Sequence, residues 1–163
     1  MTLKVAFQMD PMEGLNIAGD STFALMLSAQ ARGYTNYHYT AEELNYSDGR
    51  VWVTARPVTV QREEGNHFAF GEPIRIDLAD DIDAVLMRQD PPFDLGYITA
   101  THLLERIQHK TLVANDPVSV RNAPEKVFVL DFAQFMPPTL VTRSLDEVRG
   151  SVRSSRKPST SHQ

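Results

Sequence analysis

The alternation of apolar and polar residues divides the chain into short strands separated by helices. Residues 3–8 and 34–39 alternate as half-buried strands do, and an amphipathic helical pattern lies between them. Asp20 or Ser21 can cap that helix at its start, and Gly33 can close its end. This β-α-β order predicts a parallel strand pair with a right-handed crossover.

The pattern changes over residues 43–76, where short apolar stretches follow one another without a helix. The dipeptide Asp48-Gly49 is a strong hairpin signal between residues 43–47 and 50–54. Further alternating pairs of apolar residues predict additional short strands up to residue 76. We therefore expect an antiparallel hairpin excursion on the parallel core.

The parallel pattern resumes at the apolar run 84–87. A helix capped by Asp94 follows it, and then a strand over 111–115. Asp116 and Pro117 are the expected cap and first residue of another helix. Together these elements predict an α/β fold with an open, mostly parallel sheet, flanking helices and the antiparallel excursion.

A stiff, charged corner follows the strand 84–87. Arg88 and Asp90 come first, and two prolines then prevent further strand or helix. In an open α/β sheet such a corner lies at the carboxyl end of a strand, where ligands bind. A guanidinium there suits a carboxylate or phosphate, because it can donate two parallel hydrogen bonds. A surface turn in which Arg88 pairs with Asp90 is the open alternative.

Composition excludes several classes of protein. The 163 residues fit one domain, or one domain and part of a second, and include no cysteine. That is compatible with the reducing cytoplasm, where we expect the protein. A net charge of −5 argues against a nucleic-acid surface, and no apolar run is long enough to span a membrane. The histidines lack metal-binding spacing, and no Gly-x-Gly-x-x-Gly turn follows the first strand.

The last forty residues follow a different pattern. Pro124 begins a helix rich in phenylalanine, and a last short strand is expected at 139–142. Ser144 and Glu147 form a capping box, but the helix that it announces is expected to end at Gly150. Residues 149–163 carry four basic residues, no acid and only one sizeable apolar residue, so we expect a disordered tail.

Three strand-end corners together resemble a known family. They are Met9-Asp10-Pro11, the run from Met87 to Asp94, and Asn115-Asp116-Pro117 with the Arg-Asn-Ala-Pro-Glu-Lys stretch that follows. With the Pro-Thr-Leu-Val-Thr-Arg stretch at 138–143 and the Asp-Ser-Thr-Phe helix start at 20–23, they resemble the N-terminal part of bacterial glutathione synthetase over residues 3–148. The Met-Arg-x-Asp-Pro-Pro-Phe-Asp corner is the most specific element.

The resemblance implies an ATP-grasp ligase. Such enzymes use ATP and Mg²⁺ to phosphorylate the cysteinyl carboxylate of γ-glutamylcysteine, and the amine of glycine then attacks the acyl phosphate. It also implies a Rossmann-like pre-ATP-grasp domain over residues 1–123 that helps hold the peptide. The start of the ATP-grasp part would be residues 124–148, which are incomplete, followed by the tail 149–163.

A few residues match positions of the family. Lys126 matches a nucleotide-contacting lysine, whose ammonium suits a phosphate. Arg88 and Asp90 match the corner that faces the substrate, where Arg88 is expected to bind a carboxylate of the peptide. Three further substrate-binding candidates, of lower rank, lie at corresponding strand or helix ends: Asp10, Ser21 and Asn115.

The family's second ATP lysine, glycine-rich phosphate loop and Mg²⁺ ligands have no counterpart in this sequence. We therefore expect a truncated member with no complete catalytic set and no metal site, inactive by itself. A non-catalytic module that binds a small carboxylate or assembles with its own kind stays open, as does a non-functional gene fragment.

Overall fold

The computed structural model describes residues 2–155, except for the side chains of 125, 126 and 153–155. Contacts divide the chain into two compact units, one ending at Ala123 and one beginning at Pro124. The predicted boundary falls between the same residues, whereas the roles assigned to the two parts stay predictions. No helix of the described part is both long and apolar enough to cross a membrane.

The first unit contains eight strands in one mixed sheet. The strands are β1 (Lys4–Gln8), β2 (Thr35–Tyr39), β3 (Leu44–Ser47), β4 (Arg50–Val60), β5 (Phe68–Phe70), β6 (Ile74–Asp77), β7 (Ala84–Met87) and β8 (Leu112–Ala114). Four of them form a parallel core in the order β2-β1-β7-β8. The other four are β4 and the strands β3, β5 and β6, which pair antiparallel with it. The predicted α/β class, parallel core and antiparallel excursion are thereby confirmed, and the excursion has as many strands as the core.

Strand β4 holds the excursion to the core. Its first half lies between β3 and β6, and its second half lies between β2 and β5. The turn into β4 is the predicted two-residue hairpin, in which Asp48 and Gly49 have φ of 52° and 80°. Two successive positive φ values give the turn a twist that matches the strands, which is why Asp-Gly favours it.

Three helices flank the sheet: α1 (Ser21–Ala31), α2 (Leu95–Glu105) and α3 (Pro117–Asn122). Each begins at an aspartate whose carboxylate accepts a backbone N–H, from Phe23, Tyr97 and Ser119 respectively. The predicted caps Asp20, Asp94 and Asp116 are thus confirmed.

The residues of β1 divide the core into two clusters. Val5 and Phe7 pack with residues of α1, whereas Ala6 packs in the cluster that contains Leu104 of α2. Since successive side chains of a strand point to opposite faces, α1 and α2 cover opposite faces of the sheet. The helix predicted after Asp94 is confirmed as α2, and its Leu104 is fully buried.

The second unit consists of two helices joined by irregular chain. Helix α4 (Glu125–Phe128) continues into a 3₁₀ segment, Val129–Phe135, and α5 covers Leu145–Ser155. The strand expected at 139–142 is not formed, and its residues have no ladder partner among the described residues.

The predicted end of the last helix at Gly150 is wrong, because α5 continues to Ser155. The Ser144 hydroxyl accepts the N–H of Glu147 as a cap, and Arg149 pairs with Asp146 one turn before it. These contacts offset the roughly 1 kcal/mol that a glycine costs within a helix. Residues 149–155 are therefore helical, and the remainder of the predicted tail, 156–163, lies outside the described residues.

Candidate functional site

The carboxyl ends of β1, β2 and β7 meet at one edge of the sheet, as parallel strands require. A cleft of about 720 Å³ opens there, between the chain after these strands and the start of α2. Its wall includes Met9 after β1, Thr40 after β2 and Gln89 after β7. The cleft therefore lies where sequence reasoning placed the ligand. Its other polar lining residues are Asp10, Glu42, Asp90, Asp94, Tyr97 and Thr99.

The charged corner is tied to the end of β1 by three hydrogen bonds. The Arg88 N–H donates to the Gln8 carbonyl at 2.7 Å, and the Asp90 N–H donates to Oδ2 of Asp10 at 2.7 Å. Between them, the Gln8 side-chain amide donates to Oε1 of Gln89. Asp10 and Asp90, both predicted site residues, are thus brought together at the mouth of the cleft. The Pro91–Pro92 peptide bond that follows is cis.

Arg88 lies against helix α1 and is not part of the cleft wall. Its Nε donates to Oγ1 of Thr22 at 3.0 Å, and its Nη2 donates to Oγ of Ser21 at 2.7 Å. The structure thereby brings Arg88 and Ser21 together, and the alternative pairing of Arg88 with Asp90 is not formed. Within the described part of the chain, Nη1 of Arg88 has no hydrogen-bond partner, so its N–H groups can still donate to an anion.

Tyr97 links the Arg88 corner electrostatically to the cleft. Burial raises the pKa of its hydroxyl, the positive charge of Arg88 lowers it, and the negative charge of Asp90 raises it. Both charges therefore act on a group that lines the cleft. The Arg88 guanidinium itself is held on the α1 side by Thr22 and Ser21.

Asn115 directly follows β8, whose last residue pairs with Leu86 of β7. It is exposed at the same edge of the sheet, but it does not line the cleft. The neighbouring Asp116 is occupied as a helix cap. Hydrogen bonds from Gln108 and Ser119 lower the pKa of Asp116 to about 2. The side chain of Lys126, the predicted ATP contact, lies outside the described residues.

Two buried polar groups beneath the cleft were missed by the sequence reasoning. Gln8 and Tyr39 are adjacent in the β1–β2 register, and both are fully buried. Among the residues that the structure describes, Oε1 of Gln8 and the Tyr39 hydroxyl have no hydrogen-bond partner. Burial raises the pKa of Tyr39. A glutamine that ends an otherwise apolar strand was the signal for Gln8, whereas nothing in the sequence distinguished Tyr39 from a core tyrosine.

The cleft walls carry negative charge. Four carboxylates line them, whereas none of the lysine, arginine and histidine side chains that the structure describes does so. The arrangement suits a ligand with an ammonium group for the cleft and a carboxylate for the free Nη1 of Arg88. An amino acid or the amino-acid end of a peptide has both groups.

A larger pocket of about 910 Å³ lies near the start of β4 and the end of α2. Four of its charged groups form two ion pairs: Lys110 with Asp80 at 2.6 Å, and Arg50 with Asp77 at 3.1 Å. The hydrogen bond and the charge of Lys110 lower the pKa of Asp80. None of the predicted site residues lies in this pocket.

An open α/β domain with a polar cleft at its strand ends belongs to the class that binds small ligands at this edge. The sequence model described as "Prokaryotic glutathione synthetase, N-terminal domain" matches residues 3–121. The chain therefore belongs to the prokaryotic glutathione synthetase family, through its N-terminal domain.

Curated relatives agree with this membership. Glutathione synthetase of Rhodopseudomonas palustris is 57% identical over 148 residues, which are 91% of this chain and 47% of the relative. That of Agrobacterium fabrum is 55% identical over 144 residues, or 88% and 45%. That of Shewanella oneidensis is 38% identical over 148 residues, or 90% and 47%. The chain thus spans about half the length of the relatives that it matches.

Proposed function

We propose that this chain is the peptide-binding part of a glutathione synthetase, an ATP-dependent ligase of the cytoplasm. The reaction joins γ-glutamylcysteine to glycine through an acyl phosphate. The match of residues 3–121 to the family carries the proposal. The cleft at the strand ends supports it, because its carboxylates suit the ammonium group of a zwitterionic peptide.

In this proposal Arg88 binds a carboxylate of γ-glutamylcysteine through Nη1. Ser21 is a positioning residue, because its hydroxyl accepts Nη2 of Arg88 and fixes the direction of the guanidinium. Asp10 and Asp90 hold the corner together and give the cleft its negative charge, which suits the α-ammonium of the glutamyl group. Asn115, at the same sheet edge, is a further candidate for a substrate contact.

ATP and Mg²⁺ are the cofactors that the family implies. Lys126 is proposed to contact a phosphate of ATP. Among the described residues, no three histidine, cysteine, aspartate or glutamate side chains are gathered into a metal site. We propose that this chain by itself does not turn over.

Calorimetry with γ-glutamylcysteine tests the substrate role. Binding is expected for the wild-type chain, and Arg88→Ala should weaken it at least tenfold. The matched control is Arg32→Ala, because Arg32 also donates to a serine hydroxyl of α1 but lies at the end of that helix, before the amino end of β2 and not at the carboxyl ends of the strands. Equal affinity of wild type and Arg88→Ala, or no binding by either, would remove the substrate role of the corner.

A non-catalytic role in binding a small carboxylate is the second candidate. It is favoured by the location of Arg88 and the whole cleft within the first unit, which has its own core. The two candidates differ in turnover. ADP and glutathione are measured after mixing the chain with ATP, Mg²⁺, γ-glutamylcysteine and glycine, alone and together with the second half of a relative. Turnover only in the mixture supports the ligase, and binding without turnover in either supports the second candidate.

A further inference from the structure

Gln89 occupies the position that the motif Met-Arg-x-Asp-Pro-Pro-Phe-Asp leaves open, between Arg88 and Asp90. Its half-buried side chain lines the cleft, whereas that of Arg88 does not. Among the cleft-lining side chains that the structure describes, that of Gln89 is the only one with a nitrogen atom. The peptide contacts assigned above to Arg88, Asp10 and Asp90 leave this amide without a role.

The buried side chain of Gln8 holds the Gln89 amide in place. Nε2 of Gln8 donates to Oε1 of Gln89, and the Gln8 side chain is completely buried. Gln8 is the last residue of β1, and its backbone carbonyl accepts the N–H of Arg88, the residue before Gln89. Backbone and side-chain hydrogen bonds from one strand end therefore fix Gln89 in the cleft wall.

The contact with Gln8 leaves the amide nitrogen of Gln89 for a ligand. The Gln89 oxygen accepts from Gln8, whereas its Nε2 has no acceptor among the residues that the structure describes. A primary amide carries two N–H donors, and a donor removed from water without an acceptor costs free energy. A ligand oxygen in the cleft would remove this cost, so Gln89 is suited to donate to one.

The charge of the cleft determines which ligand oxygen suits Gln89. Four carboxylates line the walls, and one of them belongs to the neighbouring Asp90. A ligand carboxylate beside Gln89 would be repelled by these negative charges, since the amide itself carries no charge to offset them. The oxygen of a neutral amide avoids this repulsion and is a good hydrogen-bond acceptor. The position therefore suits the carbonyl of a peptide bond.

We infer that Gln89 is a specificity-determining residue whose Nε2 donates a hydrogen bond to the amide carbonyl of a peptide ligand. The inference rests on the proposed function, which makes this carbonyl the γ-glutamyl amide of γ-glutamylcysteine. Gln8 is a positioning residue, because it acts on the ligand only through the Gln89 oxygen that it holds.

The test compares two ligands by titration calorimetry on the full 163-residue chain. One is γ-glutamylcysteine, and the other is its (E)-alkene isostere, which keeps the shape and charges but lacks the amide carbonyl. Wild type should bind the isostere about three- to tenfold more weakly than the peptide, since one hydrogen bond is lost. Gln89→Leu should bind the two ligands with equal affinity.

Gln61→Leu is the matched control and should discriminate between the two ligands as wild type does. The Gln61 amide also donates within the chain, to the Asn66 carbonyl. Gln61 follows β4, whose residue Val58 pairs with Asn36 near the amino end of β2. Gln61 therefore lies at the opposite edge of the sheet from the cleft.

Two further variants test the positioning role and the direction of the hydrogen bond. Gln8→Met should weaken binding of the peptide, but it should have no further effect in a chain that already carries Gln89→Leu. A general defect of folding would weaken binding in both chains. Gln89→Glu keeps the shape and offers only acceptors, so it should bind the peptide no more tightly than Gln89→Leu does.

Three results would overturn the inference. If Gln89→Leu binds the peptide and still discriminates against the isostere, Gln89 does not contact the carbonyl, and the peptide-binding role of the domain stands. If Gln89→Glu binds the peptide as tightly as wild type or more tightly, the side chain accepts from the ligand ammonium instead. If the wild-type chain binds no peptide at all, the proposed substrate role and the role of Gln89 both fall.

Discussion

The contact between Arg88 and Thr22 can be measured by a double-mutant cycle. The variants are Arg88→Ala, Thr22→Val and the double variant. Thr22→Val keeps the shape of the side chain and removes the hydroxyl that accepts Nε of Arg88 at 3.0 Å. If Arg88 is held as the structure shows, the sum of the losses in unfolding free energy measured for the two single variants should exceed the loss measured for the double variant.

The expected coupling follows from the burial of the two partners. A hydrogen bond to a charged group contributes about 1.5–3 kcal/mol. Thr22 is 4% exposed, but Arg88 is partly exposed, so solvent competes for its donors. We therefore expect a coupling energy of about 1–1.5 kcal/mol, at or just below the lower limit of that range.

Urea unfolding followed by the fluorescence of Trp52 is the assay. Trp52 is the sole tryptophan of the chain and lies in β4, so the signal reports the first unit. The control cycle uses Arg32 and Ser28, which are neighbours on α1 and should couple by only about 0.5 kcal/mol. A coupling of less than about 0.3 kcal/mol between Arg88 and Thr22 would refute the reasoning, because the guanidinium would then not be preorganised.

Three other predictions concern the scaffold, and each is measured by urea unfolding. Leu104→Ala should lower the free energy of unfolding by about 2–5 kcal/mol, because Leu104 is fully buried. The control Leu112→Ala, at a 67% exposed position, should change it by less than about 0.5 kcal/mol. Equal effects of the two substitutions would contradict the core assignment. Gly49→Ala should lower the free energy of unfolding by about 1–2 kcal/mol, because Gly49 has a φ of 80°. Gly14→Ala should not have this cost, because Gly14 has no positive φ and open space where the methyl group would lie. The pKa of Asp116, about 2, lies below the unfolded value of about 3.9, so the stability that it contributes should be complete above pH 4 and lost as the pH falls through about 2. Asp116→Asn should flatten this dependence, and an unchanged profile would show that the cap does not set it.

The parallel core could be predicted from the sequence because its strands are short apolar runs bounded by proline or polar corners. The run 84–87 was predicted with the bounds that β7 has, and the caps Asp94 and Asp116 follow from local hydrogen bonding alone. The charged corner was likewise located at the correct end of β7. Local patterns sufficed because each of these features depends on residues near it in the chain.

The orientation of Arg88 and the extent of β4 depend on distant residues, and local patterns did not predict them. Met87 faces the α2 side, so Arg88 faces α1, but this deduction requires knowing which helix covers which face. Strand β4 was predicted to end near residue 54, but it continues to Val60. The local pattern missed this extension because it depends on pairing with β2 and β5. The missed length of α5 has a different cause, namely the weight given to a single glycine.

The pairing of β4 with four other strands limits how this domain can be shortened. Residues Asn36, Tyr37 and His38 of β2 pair only with β4 on their side away from β1. A minimal version that lacked residues 43–76 would leave those backbone groups as an open edge beside an apolar face. Open edges of this kind recruit strands from other molecules. The antiparallel excursion therefore protects the parallel core from aggregation, and its loss should appear as insolubility before it appears as a loss of ligand binding.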